Sequence, residues 1–528
     1  MIENRLIKLD AVFIFFCGLF LFTLGLQHQE IIGFESRFYL FALEMWRHGL
    51  TWFPTTYQEP YPDYPVTSTV FIYFTAKLFG TLNKWVAVFP SAVAAALTLS
   101  ATYLIGATQE RKYGWYSVGF LIFTLAFLTE ARTISLDMYV AAATTWIFYF
   151  AFSASVQNRT PPWWVFGLLL VISFSIRGPV GIIIPAGVLS VFYLLEKNWK
   201  SWMIVSLLSA FLLVTCTGIL LDMAWHVGGN HFMQDVIRME VAGRMKVNRT
   251  PPHYFYFVES IGAYAVTYLL ALLVLAGKFT QLFRKNASPE IRFLRLLAAW
   301  LFVIMLGLSI PADKKVRYIL SVAPALALVC SCFFVTAQTG FLCGLKKVFY
   351  WICKIFPLLA LGILFVLYHK HVDLSYGILS LFFIAIQIAM LIIRNKDRIF
   401  CMAVITFFTV NVYIVEKINL QANQTRNFVL QIESLREKSH ARLAFYHEGR
   451  DGFVIKYLIN MPREEDPLFI SDVKDAKSVS MFLVSSKENF YALPENTRKS
   501  MQVIATGKMG RDDVMVTVFR RHAMMESA

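Results

Sequence analysis

Acids and cations stand close together in short polar segments that interrupt a largely apolar chain. One segment holds Glu35 and Arg37, and another holds Arg132 and Asp137. A carboxylate can take a proton from an attacking hydroxyl group, and a cation can stabilise a departing phosphate. Because a carboxylate within an apolar span is costly, Asp137 is expected either to take part in chemistry or to pair with Arg132. Glu35 is likewise either a site residue or part of a helix cap with Arg37.

Further segments of this kind follow along the chain. They contribute Asp63 and Tyr64; Arg177; Arg238, Glu240 and Arg244; His253 and Tyr254; and Lys315, Arg317 and Tyr318. Arg177 precedes Gly178 and Pro179, which can end a helix. An Arg at a helix end that reaches the membrane surface is therefore as good an interpretation of Arg177 as a role in the site. Together the acids and cations predict transfer of a group from a lipid-linked phosphate donor. The chain contains no GxxxxGK[ST] motif, so the sequence indicates no ATP site of that type.

Positive charge alternates between successive gaps in the apolar pattern. The basic gaps contain, in chain order, Arg111 and Lys112; Arg159; Lys197 and Lys200; Lys278, Arg284, Lys285, Arg292 and Arg295; Lys346 and Lys347; and Arg394, Lys396 and Arg398. Cytoplasmic loops of membrane proteins retain Lys and Arg, whereas short translocated loops avoid them. The remaining gaps, which carry the acid–cation segments, are therefore predicted to face outward. The run Lys314-Lys315-Val316-Arg317 breaks the rule on that side, which indicates an anionic partner there.

The overall composition is typical of a membrane protein. Mean hydropathy is +0.57, and 57% of the residues are hydrophobic while 16% are charged. The net charge of +15 is attributed to the basic loop ends and not to nucleic-acid binding. The seven cysteines lie almost all in apolar stretches, and their spacing fits neither a disulfide framework nor a zinc finger.

Apolar runs long enough to cross a bilayer predict a polytopic α-helical membrane protein with about 13 transmembrane helices, among them spans near 113–129 and 255–277. The fifth and sixth spans are expected to be divided at Arg177-Gly178-Pro179. Residues 1–418 form the transmembrane domain, whose first outward loop, 28–82, carries two short juxtamembrane helices.

Residues 419–528 are polar and predict a C-terminal α/β domain. They contain a helical pattern at 426–438 and strand-like runs at 443–446, 468–470, 480–484, 503–505 and 514–519. The basic N-terminus is placed in the cytoplasm, and an odd number of spans then places the α/β domain outside, in the periplasm.

The ordered set of polar segments resembles the motifs of the C-type superfamily of lipid-carrier-dependent membrane glycosyltransferases. The likeness is greatest to the bacterial lipid A aminoarabinose transferases, which are relatives of the protein O-mannosyltransferases. It covers the whole chain and is carried by Glu35-Ser36-Arg37-Phe38; Pro62-Asp63-Tyr64-Pro65; Ala131-Arg132 with Asp137-Met138; Arg177-Gly178-Pro179; Arg238, Glu240 and Arg244 with His253-Tyr254; and Lys315, Arg317, Tyr318 and Pro324.

The resemblance implies an inverting enzyme that moves a sugar from a polyprenyl phosphate, such as undecaprenyl phosphate, to an envelope acceptor. The acceptor is left open between a glycolipid such as lipid A, a polysaccharide and a protein. The implied catalytic residues are Glu35 and Asp137. The implied ligands of the donor phosphate are Arg37, Arg244, Lys315, Arg317 and Tyr318. The other implied site residues are Asp63, Tyr64, Arg132, Arg177, Glu240, His253 and Tyr254.

Two positions depart from the family pattern. Phe34 stands where the family has the Asp of an Asp-Glu pair, so either Glu35 has taken over its role or Asp137 and Asp63 carry more of it. Asp63-Tyr64 stands in place of a Glu-Lys pair, and the lost Lys is expected to be replaced by Arg37, Lys315 or Arg317.

The expected partners are a polyprenyl-phosphate sugar, an envelope acceptor and membrane lipids, and the expected location is the bacterial inner membrane. No cofactor is certain, but a divalent metal ion held by Asp63 and His253, with His447 of the tail, is an alternative. Two other classes of function stay open. A transporter or flippase of a lipid-linked sugar would place ionisable residues at the bilayer midplane. A non-catalytic assembly protein would bind the lipid-linked sugar without turnover.

Overall fold

Apolar helices make up most of the chain before residue 424. The computed structural model describes residues 2–63, 66–242, 251–284, 288–335, 340–370, 374–463, 465–472 and 481–519. The first ten helices are α1 (Ile2–Thr23), α2 (Glu35–His48), α3 (Thr67–Phe79), α4 (Lys84–Ala107), α5 (Arg111–Ile122), α6 (Leu125–Ala131), α7 (Leu136–Val156), α8 (Trp163–Arg177), α9 (Val180–Leu195) and α10 (Trp199–Ile237).

The second half of the membrane domain is also helical. Its helices are α11 (Phe255–Ala263), α12 (Ala265–Gly277), α13 (Phe279–Leu282), α14 (Pro289–Leu308), α15 (Ala323–Val335), α16 (Gly340–Lys370), α17 (Leu374–Ile392), α18 (Lys396–Val410) and α19 (Glu416–Ala422). A 3₁₀ segment, Val316–Val322, leads directly into α15. A π-helical turn, Asn411–Val415, joins α18 to α19.

Nine helices in the described ranges are long and apolar enough to cross a membrane, and a bent pair raises this to ten if it forms one span. Three shorter apolar helices, α8, α9 and α12, lie where further spans were predicted. The total of about 13 spans therefore stays a prediction. The predicted break between the fifth and sixth spans is present, since α8 ends at Arg177 and α9 begins at Val180.

Two predicted spans are not continuous helices. The span expected near 113–129 consists of α5 and α6, which are bent by 76° relative to each other. Thr124, between them, has extended backbone angles, and its hydroxyl group is 2.9 Å from that of Thr267. The span expected near 255–277 is divided into α11 and α12 at Tyr264.

The helices are packed closely through small residues and aromatic rings. A Cβ atom added at Gly106 of α4 would lie 2.9 Å from the Cα atom of Gly114 in α5, so the two backbones nearly touch. The rings of Phe120 and Phe334 lie 5.2 Å apart, and both contact Phe400 of α18. A single apolar cluster therefore joins the central helices.

The gaps predicted to be cytoplasmic meet at one end of the helix bundle. Arg111 binds Asp10 there, Lys112 binds Asp397, and Arg292 binds Glu196. The first two pairs join the N-terminal segment to the first and last basic gaps, and the third pair joins the gap at Lys197 to the gap at Arg292. The structure therefore groups the basic gaps as the charge alternation predicts, while their position relative to the membrane stays a prediction.

The first loop at the opposite end contains both predicted juxtamembrane helices, α2 and α3. Between them, β1 (Thr55–Thr56) and β2 (Glu59–Pro60) form a small antiparallel hairpin. Gly49 ends α2 with a φ of 95°, a conformation that a Cβ atom would make costly. We call residues 55–63 the hairpin segment.

The C-terminal part is an α/β domain, as predicted. Its helices are α20 (Thr425–Ser439), α21 (Phe453–Leu458), α22 (Lys487–Tyr491) and α23 (Glu495–Lys499). Its strands are β3 (Arg442–Tyr446), β4 (Leu468–Ile470), β5 (Met481–Ser486), β6 (Met501–Met509) and β7 (Asp512–Phe519). The sheet order is β4-β3-β5-β7-β6, in which β3 is parallel to β4 and β5 while β7 is antiparallel to its two neighbours.

The α/β domain and the first loop share one apolar core. Leu40 of α2 belongs to the core of the domain, and Leu43 and Tyr57 pack against it. The ring of Tyr57 meets that of Phe469 edge-on at 5.3 Å. The domain is therefore fixed on the loop by buried contacts.

Candidate functional site

A polar cavity of about 440 Å³ opens at the end of the bundle that carries the first loop. Its lining comes from the first loop, the start of α7, the end of α8, the end of α10 and the segment before α15. The lining residues are Phe34, Arg37, Phe38, Pro62, Asp63, Leu136, Asp137, Arg177, Asp235, Arg238, Met239, Asp313, Lys315, Arg317 and Tyr318. We call this space the site cavity. Five cations and four carboxylates line it, so it suits a ligand that carries an anionic group.

Asp137 is at the centre of the charge network in the site cavity. It lies in the first turn of α7 and its side chain is 8% exposed. One of its carboxylate oxygens accepts a hydrogen bond of 2.8 Å from Nε of Arg177, and the other is 3.5 Å from Nε of Arg317. Asp137 thus holds two guanidinium groups at the cavity wall, and the predicted alternative pair with Arg132 does not form.

The sharp turn between α8 and α9 places Arg177 in the cavity. Gly178 has a φ of 61°, which favours glycine, and Pro179 follows it at the start of α9. The Arg177 guanidinium lies 4.9 Å from the centre of the Tyr318 ring. Arg177 is buried, so the alternative of an Arg that extends to the membrane surface does not apply.

The predicted cationic segment before α15 supplies the opposite wall. Lys315 is half exposed, and its Nζ is 3.7 Å from Asp313. The hydroxyl group of Tyr318 donates a 2.9 Å hydrogen bond to the same carboxylate. Arg317 lies over the ring of Phe34 at 4.0 Å. Phe34, where the family pattern has an acid, thus forms a cation–π contact with a predicted phosphate ligand.

The first loop contributes a second ion pair. Nη1 of Arg37 is 3.4 Å from Oδ2 of Asp63, which is nearly buried. The family pattern has an adjacent Glu and Lys at this position. Here the carboxylate and the cation come instead from different parts of the loop. Arg37 thus lies in the cavity wall, and its predicted role as a replacement for the family's Lys stays a prediction.

Three further charged residues line the cavity although they are not among the implied site residues, and of these only Arg238 belongs to a motif named above. Asp235 and Arg238, at the end of α10, form an ion pair of 2.9 Å, and Asp313 binds Lys315 and Tyr318. Asp313 lies two residues before Lys315. The cluster of cations that breaks the charge rule at that turn could therefore have identified Asp313 as a site residue.

Glu35, predicted as catalytic, does not line the site cavity. Its side chain is 1% exposed, and one oxygen is 3.0 Å from Nζ of the buried Lys84. Its two oxygens also accept hydrogen bonds from the backbone amides of Ile32 and Ile134. Lys84 begins α4, where a cation opposes the helix dipole and needs an acidic neighbour. Glu35 therefore joins the first loop to α4 and α7 beside the site.

We expect Glu35→Gln to destabilise the protein. The change leaves Lys84 buried without its counter-charge, and breaking a buried ion pair of this kind costs about 3 kcal/mol or more. Thermal unfolding of the purified protein in detergent micelles measures the loss.

The double variant Glu35→Gln, Lys84→Met is the matched test, because it removes both charges together. It should unfold at a higher temperature than Glu35→Gln alone. An unchanged unfolding temperature in Glu35→Gln would contradict the structural role of Glu35.

Arg132, also predicted for the site, lies in a buried ion pair outside the cavity lining. It is 1% exposed and binds both oxygens of Glu416 at 2.6 and 2.9 Å. It also donates hydrogen bonds to the backbone carbonyls of Leu21, Phe22 and Leu24. Arg132 thus ties the end of α1 to α19 and does not reach the site cavity.

The remaining predicted site residues lie around the cavity or outside the described ranges. Glu240 is buried against the turn after α8, where its Oε2 would be 3.2 Å from a Cβ atom added at Gly178. Nδ1 of His253 is 3.2 Å from the carbonyl oxygen of Ser309, and Tyr254 is exposed. Neither ring lines the cavity. Tyr64 and Arg244 lie outside the described residues.

The arrangement does not favour the predicted metal site. Within the described ranges, no group of three His, Cys, Asp or Glu side chains is placed to hold a metal ion. Asp63 is paired with Arg37, and His253 is engaged with Ser309. His447 begins the turn after β3 and donates its backbone amide to Ile470. We therefore derive no step that uses a metal.

Comparison with solved structures identifies the fold. ArnT from Cupriavidus metallidurans in the apo state aligns with a TM-score of 0.69 and 16% sequence identity over 96% of this chain and 98% of that one. The same protein bound to undecaprenyl phosphate aligns with a TM-score of 0.68 and 18% identity over 97% of both chains. The chain has the fold of ArnT.

Sequence comparisons agree with this fold. Residues 63–223 match the family model of dolichyl-phosphate-mannose-protein mannosyltransferases. The undecaprenyl phosphate-alpha-4-amino-4-deoxy-L-arabinose arabinosyl transferase of Shewanella sediminis (strain HAW-EB3) is 24% identical over 378 residues, which are 69% of this chain and 66% of that protein. The match thus spans just under two thirds of the length of this relative.

These findings confirm the predicted resemblance and the predicted class of fold, a polytopic helical membrane protein with a C-terminal α/β domain. They also agree with the predicted class of enzyme, because the family model and these relatives are glycosyltransferases.

Proposed function

We propose that this chain transfers a sugar, with inversion, from a polyprenyl phosphate such as undecaprenyl phosphate to an envelope acceptor such as lipid A. The observation that carries the proposal is the site cavity, in which five cations and four carboxylates meet at one end of the helix bundle. A phosphate placed there has cations around it, while its prenyl chain can lie along the apolar helices. The fold shared with ArnT supports the same class of reaction.

The donor phosphate is expected to bind the cations that are least engaged within the protein. Lys315 is half exposed and Arg317 is 24% exposed, and both are at longer range from their carboxylate partners than Arg177 is. The Tyr318 hydroxyl and Arg37 complete this set. Cations held before the reaction stabilise the charge that develops on the departing phosphate, since they need no reorganisation.

The ion pairs of Asp137 favour an acceptor that is already ionised and so needs no base. A hydroxyl acceptor requires a base, and Asp137 is the predicted catalytic residue that reaches the cavity. Its two oxygens, however, face Arg177 and Arg317. A phosphate acceptor requires only positioning beside the donor, to which Arg177 and Arg238 are well suited. The geometry therefore favours a phosphate group as the nucleophile.

We place the site on the periplasmic face of the bacterial inner membrane, with the N-terminus in the cytoplasm and the α/β domain in the periplasm. Support comes from the basic gaps, four of which meet at the end of the bundle opposite the site cavity.

The proposal is tested with purified protein, a labelled polyprenyl-phosphate sugar and extracted envelope acceptors. Arg317→Gln should raise the half-saturating donor concentration by about ten-fold, because one charge-assisted contact to the phosphate is lost. Arg463→Gln is the matched control, since Arg463 is exposed on the α/β domain and pairs with Glu437 at 3.5 Å.

The outcomes separate the proposed function from its alternatives. Transfer that is weakened by Arg317→Gln and unaffected by Arg463→Gln supports the proposal. Donor binding with no transfer to any acceptor would favour an assembly protein that only binds the lipid-linked sugar. Movement of the labelled donor across a vesicle membrane without transfer would favour a flippase.

A further inference from the structure

Two neighbouring residues of the α/β domain contact the hairpin segment of the first loop. Arg450 forms an ion pair with Glu59, and its Nη1 is 3.5 Å from the carbonyl oxygen of Thr56. Its guanidinium also lies 5.8 Å from the centre of the Tyr57 ring. Arg450 therefore attaches the domain to the β1–β2 hairpin.

Asp451 reaches further, toward the site cavity. Its Oδ2 accepts a 2.6 Å hydrogen bond from the Tyr61 hydroxyl, and its Oδ1 is 3.0 Å from Nη2 of Arg37. Burial raises the pKa of the Tyr61 hydroxyl, and so does its bond to Asp451, so this group remains a proton donor. One carboxylate of the α/β domain thus holds two side chains of the first loop.

Arg37 connects this contact to the site cavity. Its Nη2 faces Asp451, while its Nη1 faces Asp63, which lines the cavity with it. Burial opposes the charge of Arg37, but the neighbouring Tyr61, Asp451 and Asp63 raise its pKa above the usual value. A planar guanidinium held at both terminal nitrogens has one orientation, which a single partner would not fix.

We propose that Asp451 is a positioning residue of the transfer site, which orients Arg37 and thereby increases the affinity of the cavity for the phosphate of the lipid donor. The inference rests on the proposed function, because it assigns Arg37 to the donor phosphate. It makes the α/β domain part of the site, although Asp451 itself lies outside the cavity lining.

Binding of undecaprenyl phosphate to the full-length protein in detergent micelles tests the inference. Asp451→Asn should raise the Kd about ten-fold, the effect of losing one charge-assisted hydrogen bond. Glu495→Gln is the matched control, because it removes a carboxylate of the same domain that pairs with Lys499 on the exposed surface. Asp451→Glu retains the charge and should restore part of the affinity.

A double-mutant cycle separates positioning from general damage to the domain. If Asp451 acts through Arg37, Asp451→Asn should cause no further loss of affinity in an Arg37→Gln background. Equal losses in both backgrounds, or unchanged affinity in Asp451→Asn, would overturn the inference.

Hydrogen–deuterium exchange gives a readout that does not depend on the lipid. Asp451→Asn should speed amide exchange in residues 34–41 and in the hairpin segment, whereas Glu495→Gln should not. Undisturbed exchange in those segments overturns the inference even if the lipid does not bind. A wild-type protein that fails to bind undecaprenyl phosphate counts against the proposed function, and the exchange result then decides on Asp451 separately.

Discussion

Asp137→Asn is expected to lower the rate of sugar transfer by about a hundred-fold or more, the scale seen when one preorganised electrostatic group is removed from a site. The variant keeps the size of the side chain but removes the charge that faces Arg177 and Arg317. Both guanidinium groups then lose the orientation in which they meet the substrate phosphates. Initial rates with a labelled polyprenyl-phosphate sugar measure the effect.

Glu437→Gln is the matched control, because it removes a carboxylate away from the cavity. Glu437 is about half exposed on the α/β domain and pairs with the exposed Arg463. Exposed pairs contribute little, so this variant should keep most of the activity. Full activity in Asp137→Asn would show that Asp137 is not needed for transfer and would contradict its assignment to the site.

The kinetic parameters distinguish two roles for Asp137. If Asp137 serves as a base, Asp137→Asn lowers kcat and leaves donor binding unchanged. If Asp137 holds the phosphate-binding cations, the same variant also raises the half-saturating donor concentration. We expect both parameters to change, because each carboxylate oxygen of Asp137 already faces a guanidinium group.

Arg132→Met is expected to cause the largest loss of stability. The change leaves Glu416 without its cation and removes the hydrogen bonds that Arg132 donates to three backbone carbonyls near the end of α1. Loss of one partner from a buried ion pair costs about 3–5 kcal/mol, and unmade hydrogen bonds add to it. The unfolding temperature in detergent micelles and the yield of folded protein from membranes report the change.

Arg463→Met provides the comparison, because Arg463 is 80% exposed and its pair with Glu437 is on the surface. It should unfold close to the wild-type temperature. If Arg132→Met did the same while losing transfer activity, Arg132 would return to the site residues that the sequence suggested.

The fold was accessible from the sequence because its signals are local. Apolar runs predicted the helices, and period-two patterns predicted the five strands of the α/β domain within a few residues. The turn at Gly178 and the end of α2 at Gly49 were also readable, since each depends on one residue type. The bend between α5 and α6 was missed because no Pro or Gly marks it.

The sequence indicated which polar segments meet at the site, but it did not indicate which charged residues pair with one another. Grouping the segments on one face brought together Asp137, Arg177 and Arg317, which do share the cavity. Glu35 was misplaced because its counter-charge, Lys84, lies beyond the loop. Arg132 was misplaced because its partner Glu416 is 284 residues away. A single sequence gives no sign of such distant pairs. A charged residue could therefore be matched only with an opposite charge close to it in the sequence.

The attachment of Asp451 to Tyr61 also has a consequence for biosynthesis. The two residues are 390 positions apart, so the first loop is translated well before the domain that anchors it. Chains of several domains fold in order as they emerge. A nascent chain with all its membrane helices in place still lacks the cover over Leu40 and the group that orients Arg37. The proposed transfer site therefore reaches its final form only after the α/β domain has folded onto the first loop, so a chain that stops before Asp451 is expected to bind the proposed donor lipid with reduced affinity.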